Sequence, residues 1–436
     1  MHKIVQSIKK RNKLYKIAIR IYSVVYGIIR DNHSLCIGFH RLRSILYEKA
    51  RVELYNKQSL KEYCKINHLK LDVLEEEKSR DVFIPKYYDN SDESQIASFK
   101  SPQIYTVKLT SVYVIGGSSF ILKEKWALYD MFDMDTDNRF DLRFGSIVSI
   151  SNKGEVAVKS HETENVKLEK GIFLIGFGSF NYYHLTIELM SKFKYIDENE
   201  SLDNYPIIVD DVALAIPQFK ALVHSLNESR REIIPLKKNT KYEVVEMVYI
   251  SDVSWMPINV KSSSGLTNED CRVSKECIVY LRNKVMKSNK VTFPSEQNLK
   301  LFISRKSSFL QRLSNETDVA SLFKSYGFKV VYPEELSLKE QVELFANAGI
   351  VAGTTGAALT NIIYCRPGTT FVSIIPKEYN FNVYSTIANY LGINSLYLDA
   401  KIIKKGRKIS GDIFELDLNY CERFLREHNI VGEYIE

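Results

Sequence analysis

The sequence predicts an α/β protein with two Rossmann-like domains that face a cleft. Three observations support this class. The chain has 436 residues, more than one ordinary hydrophobic core accommodates. Short apolar strands alternate with amphipathic helices from about residue 171 to 391, a rhythm typical of parallel sheets covered by helices. A glycine-containing turn, residues 353–358, connects one such strand to the next helix.

The first half of the chain is predicted to begin with a basic helical arm and to continue into β-type sequence. Residues 103–160 carry alternating β-type side chains interrupted by turns at 116–117 and 152–154, so we expect an antiparallel β-meander. A βα rhythm follows it. Its predicted elements are strands at 171–175, 206–209 and 244–250, with helices at 181–195 and 218–226.

The second half shows this rhythm most clearly. Residues 257–270 resemble a linker, and a helix is predicted after them at 275–287. One later helix opens with the capping-box pattern Ser337-x-x-Glu340. The remaining predicted elements are strands at 301–303, 328–332, 350–352 and 370–375, helices at 319–326, 357–364 and 384–391, and a final helix at 416–428.

These patterns predict four parts of the chain. They are a basic amphipathic helical arm at 1–50, a first domain with the β-meander at 51–265, a second domain at 266–410, and a C-terminal helical segment at 411–436 that could pack back on the first domain.

The charge of the chain is concentrated in the arm. Residues 1–50 contain eleven Lys or Arg and two acids, a charge of +9 in a chain with a net charge of +7. This excludes a basic nucleic-acid-binding body. The apolar residues of positions 1–30 keep helical spacing, so this helix could lie on an anionic membrane surface or pack against protein. Lys16 and Arg20 argue against a secretory signal or a membrane span.

The six cysteines are scattered and form no C-x-x-C pair, which favours reduced thiols in the cytoplasm and argues against a zinc site. The acidic run Asp133-Met-Asp-Thr-Asp137 resembles the start of a calcium loop. However, Phe144 stands where such a loop requires Glu. We therefore expect a solvated loop there and no metal site.

The turn at 353–358 is a candidate seat for a phosphate group. Gly353, Thr354, Thr355, Gly356, Ala357 and Ala358 are all small, so backbone amides at the start of the following helix stay open to an anion. The alternative is a tight strand-to-helix connection in which Thr355 is only an N-cap.

Other side chains could complete this site. Arg305 follows a predicted strand and supplies a permanent charge, with Lys306 beside it and Arg312 as a weaker candidate. The position at a strand end favours Arg305 as a site residue over a surface charge, whereas Lys306 and Arg312 could equally be surface charges. Glu316 and Glu334 could accept hydrogen bonds from ribose or sugar hydroxyls, or could be a first-turn acid and a solvated loop residue. Asn361 could orient the turn or touch a nucleotide, or simply bond a neighbouring turn.

A second candidate site lies upstream. His184 and Glu188 are four residues apart on a predicted helix, so they share one face. A histidine beside a carboxylate can act as a general base with an orienting partner. An ordinary pair on a helix surface is the alternative. Asn181 and Tyr183 are candidates for contacts on the acceptor side.

Several ordered motifs resemble glycosyltransferase family 61 over about residues 100–400. Positions in this chain that match the family in order are Asn181-Tyr-Tyr-His184-x-x-x-Glu188, Leu301-Phe-Ile-Ser-Arg-Lys306, Asn315-Glu316, Tyr326-Gly-Phe328, Pro333-Glu-Glu-Leu-Ser337, Glu340-Gln341, Gly353-x-x-Gly-Ala-x-Leu-Thr-Asn361 and Pro367-Gly368. The chain departs from the family at Thr355 (usually His), Ala358 (usually Gly), Leu185 (often Trp) and Ser373 (frequently acidic).

The resemblance implies a GT-B fold, with the acceptor held mainly by the first domain and the nucleotide sugar by the second. It implies inverting, metal-independent transfer of a hexosyl or pentosyl group, with no permanently bound cofactor. We expect a UDP-linked donor and a glycan or lipid-linked glycan acceptor of the capsule or lipopolysaccharide type. The expected location is cytoplasmic, at the inner membrane face. The alternatives are a nucleotide-sugar epimerase or hydrolase, and a non-catalytic scaffold suggested by Thr355 and Ser373.

Overall fold

The computed structural model describes residues 12–48, 50–89, 95–134, 139–261, 264–296, 298–306, 312–406 and 408–428. Two helices come first, α1 (Asn12–Asp31) and α2 (His33–Arg43), with a π-helical turn at Ser44–Glu48. Asn32 separates the helices and caps α2 by accepting the amide of Leu35 at 3.0 Å. Part of the predicted arm helix, residues 1–11, lies outside the described residues.

The first body of the molecule is a ten-stranded mixed sheet. Its main path runs β1-β7-β6-β5-β12-β9-β10-β11, with β2 paired to β5 and β8 paired to β9. The strands are β1 (Arg51–Gln58), β2 (Asp72–Glu75), β5 (Ile104–Ile115), β6 (Ile121–Lys123), β7 (Trp126–Leu128), β8 (Ile147–Ile150), β9 (Glu155–Leu174), β10 (Ile207–Asp210), β11 (Ile233–Leu236) and β12 (Thr240–Ile250).

The strand β9 runs through both the predicted β-meander and the predicted βα region. Its first six residues pair antiparallel with β1, and its later residues pair parallel with β12 and β10. The predicted meander and the βα region therefore form one sheet. Residues 51–101 also contain more strand than predicted, with one helix, α3 (Leu60–Ile66), and a hairpin of β3 (Lys78–Phe83) and β4 (Ile96–Ser101).

Irregular helices follow the carboxyl end of β9. The predicted helix at 181–195 is a π-helix at His184–Leu189, a 3₁₀ turn at Met190–Lys192 and α5 (Phe193–Asp197). Other helices of this body are α4 (Met131–Met134), α6 (Val212–Ala215) and α7 (Pro217–Leu226). After the linker-like stretch comes α8 (Lys275–Ser288), which begins at the predicted position with Ser274 as its cap.

The second body is a five-stranded parallel sheet in the order β14-β13-β15-β16-β17. Its strands are β13 (Leu299–Ile303), β14 (Lys329–Val331), β15 (Ala348–Thr354), β16 (Thr370–Ile375) and β17 (Asn394–Asp399). The helices between them are α9 (Glu316–Ser325), α10 (Leu338–Ala346), a 3₁₀ helix at Ala357–Tyr364 and α11 (Val383–Tyr390). The predicted helix at 357–364 is therefore 3₁₀ and not α. The strand order reverses between β13 and β15, where open α/β sheets form their binding crevices.

The C-terminal segment packs on the second body. After a hairpin of β18 (Lys401–Lys404) and β19 (Ile413–Glu415), the helix α12 (Leu418–Glu427) contacts α9. Phe424 and Leu425 of α12 are buried in one cluster with Phe302 and Phe323. The apolar face of α12 matches that of the second sheet, which explains this position.

The predicted domain boundary at residue 265 stays a prediction, and backbone hydrogen bonds cross it. The backbone of Tyr88 donates to Tyr397 of β17 at 3.0 Å, and the amide of Phe83 donates to Thr386 of α11 at 3.1 Å. Residues 78–88 thus pack against the second body although they precede the boundary.

The two bodies share an interior. One cluster of buried side chains contains Ile172 and Val248 of the first sheet together with Leu301 and Phe371 of the second. In the described part of the chain, no helix is both long and apolar enough to cross a membrane.

Candidate functional site

The carboxyl ends of β13 and β15 bring Arg305 and Gly356 together. Arg305 follows β13 by two residues, and Gly356 follows β15 by two residues. A Cβ atom added to Gly356 would overlap the guanidinium of Arg305. Only glycine therefore lets the arginine lie against this turn, which is where the reversal of strand order predicts a ligand crevice.

The turn itself presents backbone donors. Among the described residues, the amides of Gly356, Ala357 and Ala358 have no hydrogen-bond acceptor, and these three residues are partly exposed. The carbonyl of Gly356 accepts the hydroxyl of buried Tyr384 at 2.7 Å, which fixes the peptide orientation. The arrangement of open amides beside a guanidinium suits a phosphate group.

The two threonines contribute less than the sequence suggested. Thr355 is buried, and its amide donates to the carbonyl of Ile374 at 3.1 Å. The hydroxyl of Thr354 is enclosed and has no partner among the described residues. Gly353 lies within β15, beside Ile303 of β13. The hydroxyl of Thr354 and the residue Thr355 are therefore enclosed by the protein.

Two glutamates hold the chain after β13. Glu316 is buried and accepts the hydroxyl of Ser304 at 2.5 Å and the amide of Arg305 at 3.2 Å. Glu334 is exposed and accepts the amide of Lys306 at 2.9 Å, while the Lys306 side chain pairs with Glu335. Their positions indicate that Glu316 orients Arg305 and that Glu334 and Lys306 lie at the rim.

Asn361 and Arg312 are structural in this fold. Asn361 is fully buried, accepts the hydroxyl of Tyr182 at 2.8 Å and donates to Gln341 at 2.7 Å, so it joins the two bodies and offers a ligand no contact. Arg312 donates to the carbonyl of Ile409 at 2.7 Å, and burial lowers the pKa of its guanidinium.

His184 and Glu188 are adjacent, as their spacing predicts. Nδ1 of His184 lies 2.9 Å from Oε2 of Glu188, and His184 is buried. Burial raises the pKa of Glu188, although His184 and the amide of Met256, which donates to it at 2.7 Å, favour the ionised form. Gly178 allows this packing, because a Cβ there would lie 2.5 Å from Cβ of His184. Short π-helical segments are often found at the functional sites of proteins.

Asn181 and Tyr183, the candidates for contacts with the acceptor, hold the helix of His184 in place. Oδ1 of Asn181 accepts the amide of Tyr183 at 2.9 Å, so Asn181 begins the helix. Tyr183 is buried between the bodies, with its ring 6.2 Å from that of Tyr384 and nearly perpendicular to it. Through Tyr384, which bonds Gly356, the helix of His184 is linked to the turn beside Arg305.

A cavity opens beside His184 and Glu188, and most of the residues that line it were not predicted from the sequence. Trp255, Met256 and Asn259 line it together with Asp252, in a stretch that runs into the predicted linker. Two residues after the buried strand β12 could have indicated this lining from the sequence. They are the aspartate Asp252 and the tryptophan Trp255. All its lining residues come from the first body, so the predicted cleft between the domains stays a prediction.

Among the described residues, no group of three His, Cys, Asp or Glu side chains could hold a metal ion. Asp135 and Asp137 of the acidic run lie outside those residues, and Asp133 is in α4. All six cysteines are buried free thiols.

Comparison with known proteins adds one finding. A family model described as Glycosyltransferase 61 matches residues 182–372. This range contains His184, Glu188, Arg305 and the turn at Gly356. No curated protein matches the chain. A glycosyltransferase 61 domain is therefore found over residues 182–372, which supports the resemblance that the ordered motifs indicate.

Proposed function

We propose that this glycosyltransferase moves a hexosyl or pentosyl group, with inversion, from a UDP-linked sugar to a hydroxyl of a surface glycan of the capsule or lipopolysaccharide type. The observation that carries the proposal is the contact of Arg305 with Gly356 beside three open amides. In a nucleotide sugar, the diphosphate is the leaving group and gains negative charge as the glycosidic bond breaks. Fixed donors at that position lower the barrier.

The same contact supports transfer without a metal ion. A guanidinium supplies positive charge that does not titrate near neutral pH and can bind two phosphate oxygens at once. Glu316 fixes the backbone of Arg305, so the charge is held in position before the substrate arrives. We propose that Arg305 and the amides of the turn take the part that a divalent cation plays in other transferases.

The pair of His184 and Glu188 is proposed as the base. His184 takes the proton of the acceptor hydroxyl, the acceptor oxygen forms a bond to C1 of the donor sugar, and the bond from C1 to the diphosphate breaks. The nucleoside diphosphate leaves with the electron pair. Glu188 stabilises the imidazolium that forms, because its carboxylate lies 2.9 Å from Nδ1.

We propose that the protein works at the cytoplasmic face of a membrane. The helix α1 leaves Ile21, Val24 and Ile28 exposed. The arm carries +9, and a basic helix with an unpartnered apolar face suits an anionic lipid surface. This arrangement favours a lipid-linked glycan as the acceptor.

The test of the function is nucleotide release from a panel of nucleotide sugars, measured with and without glycan acceptors. We expect release only with an acceptor. R305A should lower kcat/KM for the donor by about a hundredfold or more, the effect typical of removing a donor to developing charge. R366A is the control, because Arg366 donates to the carbonyls of Pro294 and Ser295, outside the proposed site. H184A should slow transfer by about a hundredfold while leaving UDP binding intact.

Other outcomes would reject the proposal. Turnover of the donor without an acceptor would indicate a hydrolase or epimerase. Binding of the donor with no turnover would indicate a scaffold. Normal kinetics of R305A would remove that residue from the site.

The membrane setting is tested by sedimentation with vesicles that contain phosphatidylglycerol. The I21E/I28E variant should lose binding, because two charges would replace exposed apolar side chains on one helix face. I403E, at another exposed isoleucine, is the control. Equal sedimentation of I21E/I28E and the wild type would reject the lipid contact.

A further inference from the structure

A row of charged side chains extends from the base candidate into the cavity beside it. His184, Glu188 and Lys192 are spaced four residues apart in the sequence, and all three line this cavity. Asp252, which follows β12 by two residues, lines it as well. The row thus reads imidazole, carboxylate, ammonium, carboxylate. The proposed chemistry uses only its first two members.

Lys192 is buried to a degree that is unusual for a lysine. Only 2% of its side chain is exposed, whereas lysines are almost never fully buried unless they are paired. Its ammonium donates to the carbonyl of Ile250 at 2.8 Å and to Asp252 at 3.1 Å, and lies 5.4 Å from the centre of the Tyr249 ring. Burying an ammonium costs free energy that one ion pair seldom repays. Its position at this cavity therefore points to a role other than stability.

Glu188 is the group that such a cation can serve. In the proposed reaction, its carboxylate has to be ionised to stabilise the imidazolium of His184. Burial raises the pKa of Glu188, and the charge of Asp252 raises it further, against the lowering by His184 and by the amide of Met256. The second carboxylate therefore favours the protonated form of Glu188. The ammonium of Lys192 offsets this effect, because it lies 3.1 Å from Asp252.

Other titratable groups surround Glu188 in the described structure. Three of them interact with its charge and have a pKa that burial raises, which keeps them neutral near pH 7: Tyr129, Tyr183 and Cys271. Asp141 also lines the cavity, but it pairs with two arginines. Asp130 interacts with the charge of Asp252, and burial raises its pKa. Among the described residues that line the cavity, Lys192 is the only lysine or arginine.

We propose that Lys192 is a positioning residue for the base: its ammonium, held by Asp252, keeps the carboxylate of Glu188 ionised, so that Glu188 can stabilise the imidazolium of His184. The inference rests on the proposed function and adds a third group to its proton transfer. While His184 is neutral, the row carries two negative charges and one positive charge. The proton taken from the acceptor hydroxyl brings this sum to zero, so the row favours the charge state that the reaction creates.

The pH dependence of transfer tests this role. In K192M, the charge of Asp252 is no longer offset, so the acid limb of kcat/KM should move up by about one pH unit. K192M/D252N should return the limb to the wild-type position, because both charges are then absent. K194M is the control, since Lys194 of α5 pairs with the exposed Glu198 at 2.8 Å, and it should leave the limb in place.

A measurement of unfolding needs no turnover. The difference in the free energy of unfolding between the wild type and E188Q reports the titration of Glu188. Because the pKa of Glu188 is raised in the folded state, its contribution is fully present below about pH 4 and is lost as the pH rises through the folded value. In the K192M background, this loss should end about one pH unit higher than in the wild type.

K192M should fold, because 34% of the Asp252 side chain is exposed, and this carboxylate can stay hydrated without its partner. If K192M does not fold, D252N carries the same test with the opposite sign. Both the acid limb of kcat/KM and the end of the unfolding difference should then move to lower pH, since the charge that raises the pKa of Glu188 is removed.

Two results would overturn the inference. Unchanged pH values in K192M, or in D252N if that variant is the one measured, would show that these charges do not act on Glu188. A shift in K192M that persists in K192M/D252N would contradict the offset of Asp252. Failure of the proposed function would look different: no nucleotide sugar would be turned over in the presence of acceptor, while the unfolding difference would still shift in K192M.

Discussion

At the scale of single residues, the candidate site depends on a glycine at one position of the turn. Gly356 leaves room for the guanidinium of Arg305, and Glu316 holds the backbone of that arginine. The small residues of the turn and the arginine after β13 could be found from sequence, because each follows a short apolar strand. Their contact could not, since 51 positions separate them in the chain.

The contact predicts a coupled effect on donor affinity. G356A should weaken UDP binding about tenfold or more, because the new methyl group displaces the guanidinium. In the double variant G356A/R305A, the loss should be no larger than in R305A alone, since the displaced group is already absent. Isothermal titration of UDP measures all three variants. Gly38 has open space around it, so G38A is the control, and additive losses would contradict a direct contact.

At the scale of elements, the turn before the π-helix is fixed by a buried acid. Asp210, at the end of β10, accepts the amides of Gly117 at 2.6 Å and Gly176 at 3.0 Å. Gly176 opens the stretch that leads to Gly178 and His184. The position of the base candidate therefore depends on a carboxylate 26 residues later in the chain.

Asp210 predicts a pH dependence of stability. Burial raises the pKa of this carboxyl from 3.8 to about 6. The folded state thus holds the proton more tightly than the unfolded state. The contribution of Asp210 to the free energy of unfolding is fully present below about pH 4 and is lost as the pH rises through about 6. The loss amounts to about 3 kcal/mol.

Urea unfolding between pH 4 and 7 measures this contribution as the difference between the wild type and D210N. The variant cannot titrate at this position, so its stability should fall less steeply with pH. D211N is the control at the neighbouring position. An identical slope in the wild type and D210N would contradict the assignment.

The elements themselves were predictable to different degrees. The strands and helices of the second body have local signals, such as the capping box of Ser337 and Glu340, which is present with both of its hydrogen bonds. The sequence places the two ends of β9 in different predicted elements and does not predict β1, because these two strands pair across about a hundred residues of the chain. The irregular helix at His184 was placed correctly, but its π geometry has no signal in residue spacing.

At the scale of the whole molecule, the two sheets are joined more closely than a two-domain pattern suggests. The hydroxyl of Tyr182 in the first body donates to Asn361 of the second. Gln218 of α7 donates to the carbonyls of Glu334 and Leu336 in the second body. Periodicity identifies the sheets but carries no information on how their outer helices meet.

The buried hydrogen bonds of Asn361 predict that replacing this residue lowers the stability of the protein without weakening donor binding. N361A should lower the free energy of unfolding by about 1–3 kcal/mol, because Tyr182 and Gln341 would be left with unpaired polar groups. UDP affinity at a temperature where the variant is folded should stay within about twofold. Denaturant unfolding and calorimetric titration measure the two effects. N347A, which removes a bond at the end of α10, is the control. A large loss of UDP affinity would return Asn361 to the donor site.

The shared interior also restricts how substrates can enter. Pulling the sheets apart like a hinge would expose Ile172, Val248, Leu301 and Phe371 to water, and each such side chain costs about 1.5–3 kcal/mol to expose. Wide opening and closing of the lobes in every catalytic cycle would be expensive. Donor and acceptor therefore have to reach the reaction centre through gaps at the surface, with local rearrangement of the connecting segments.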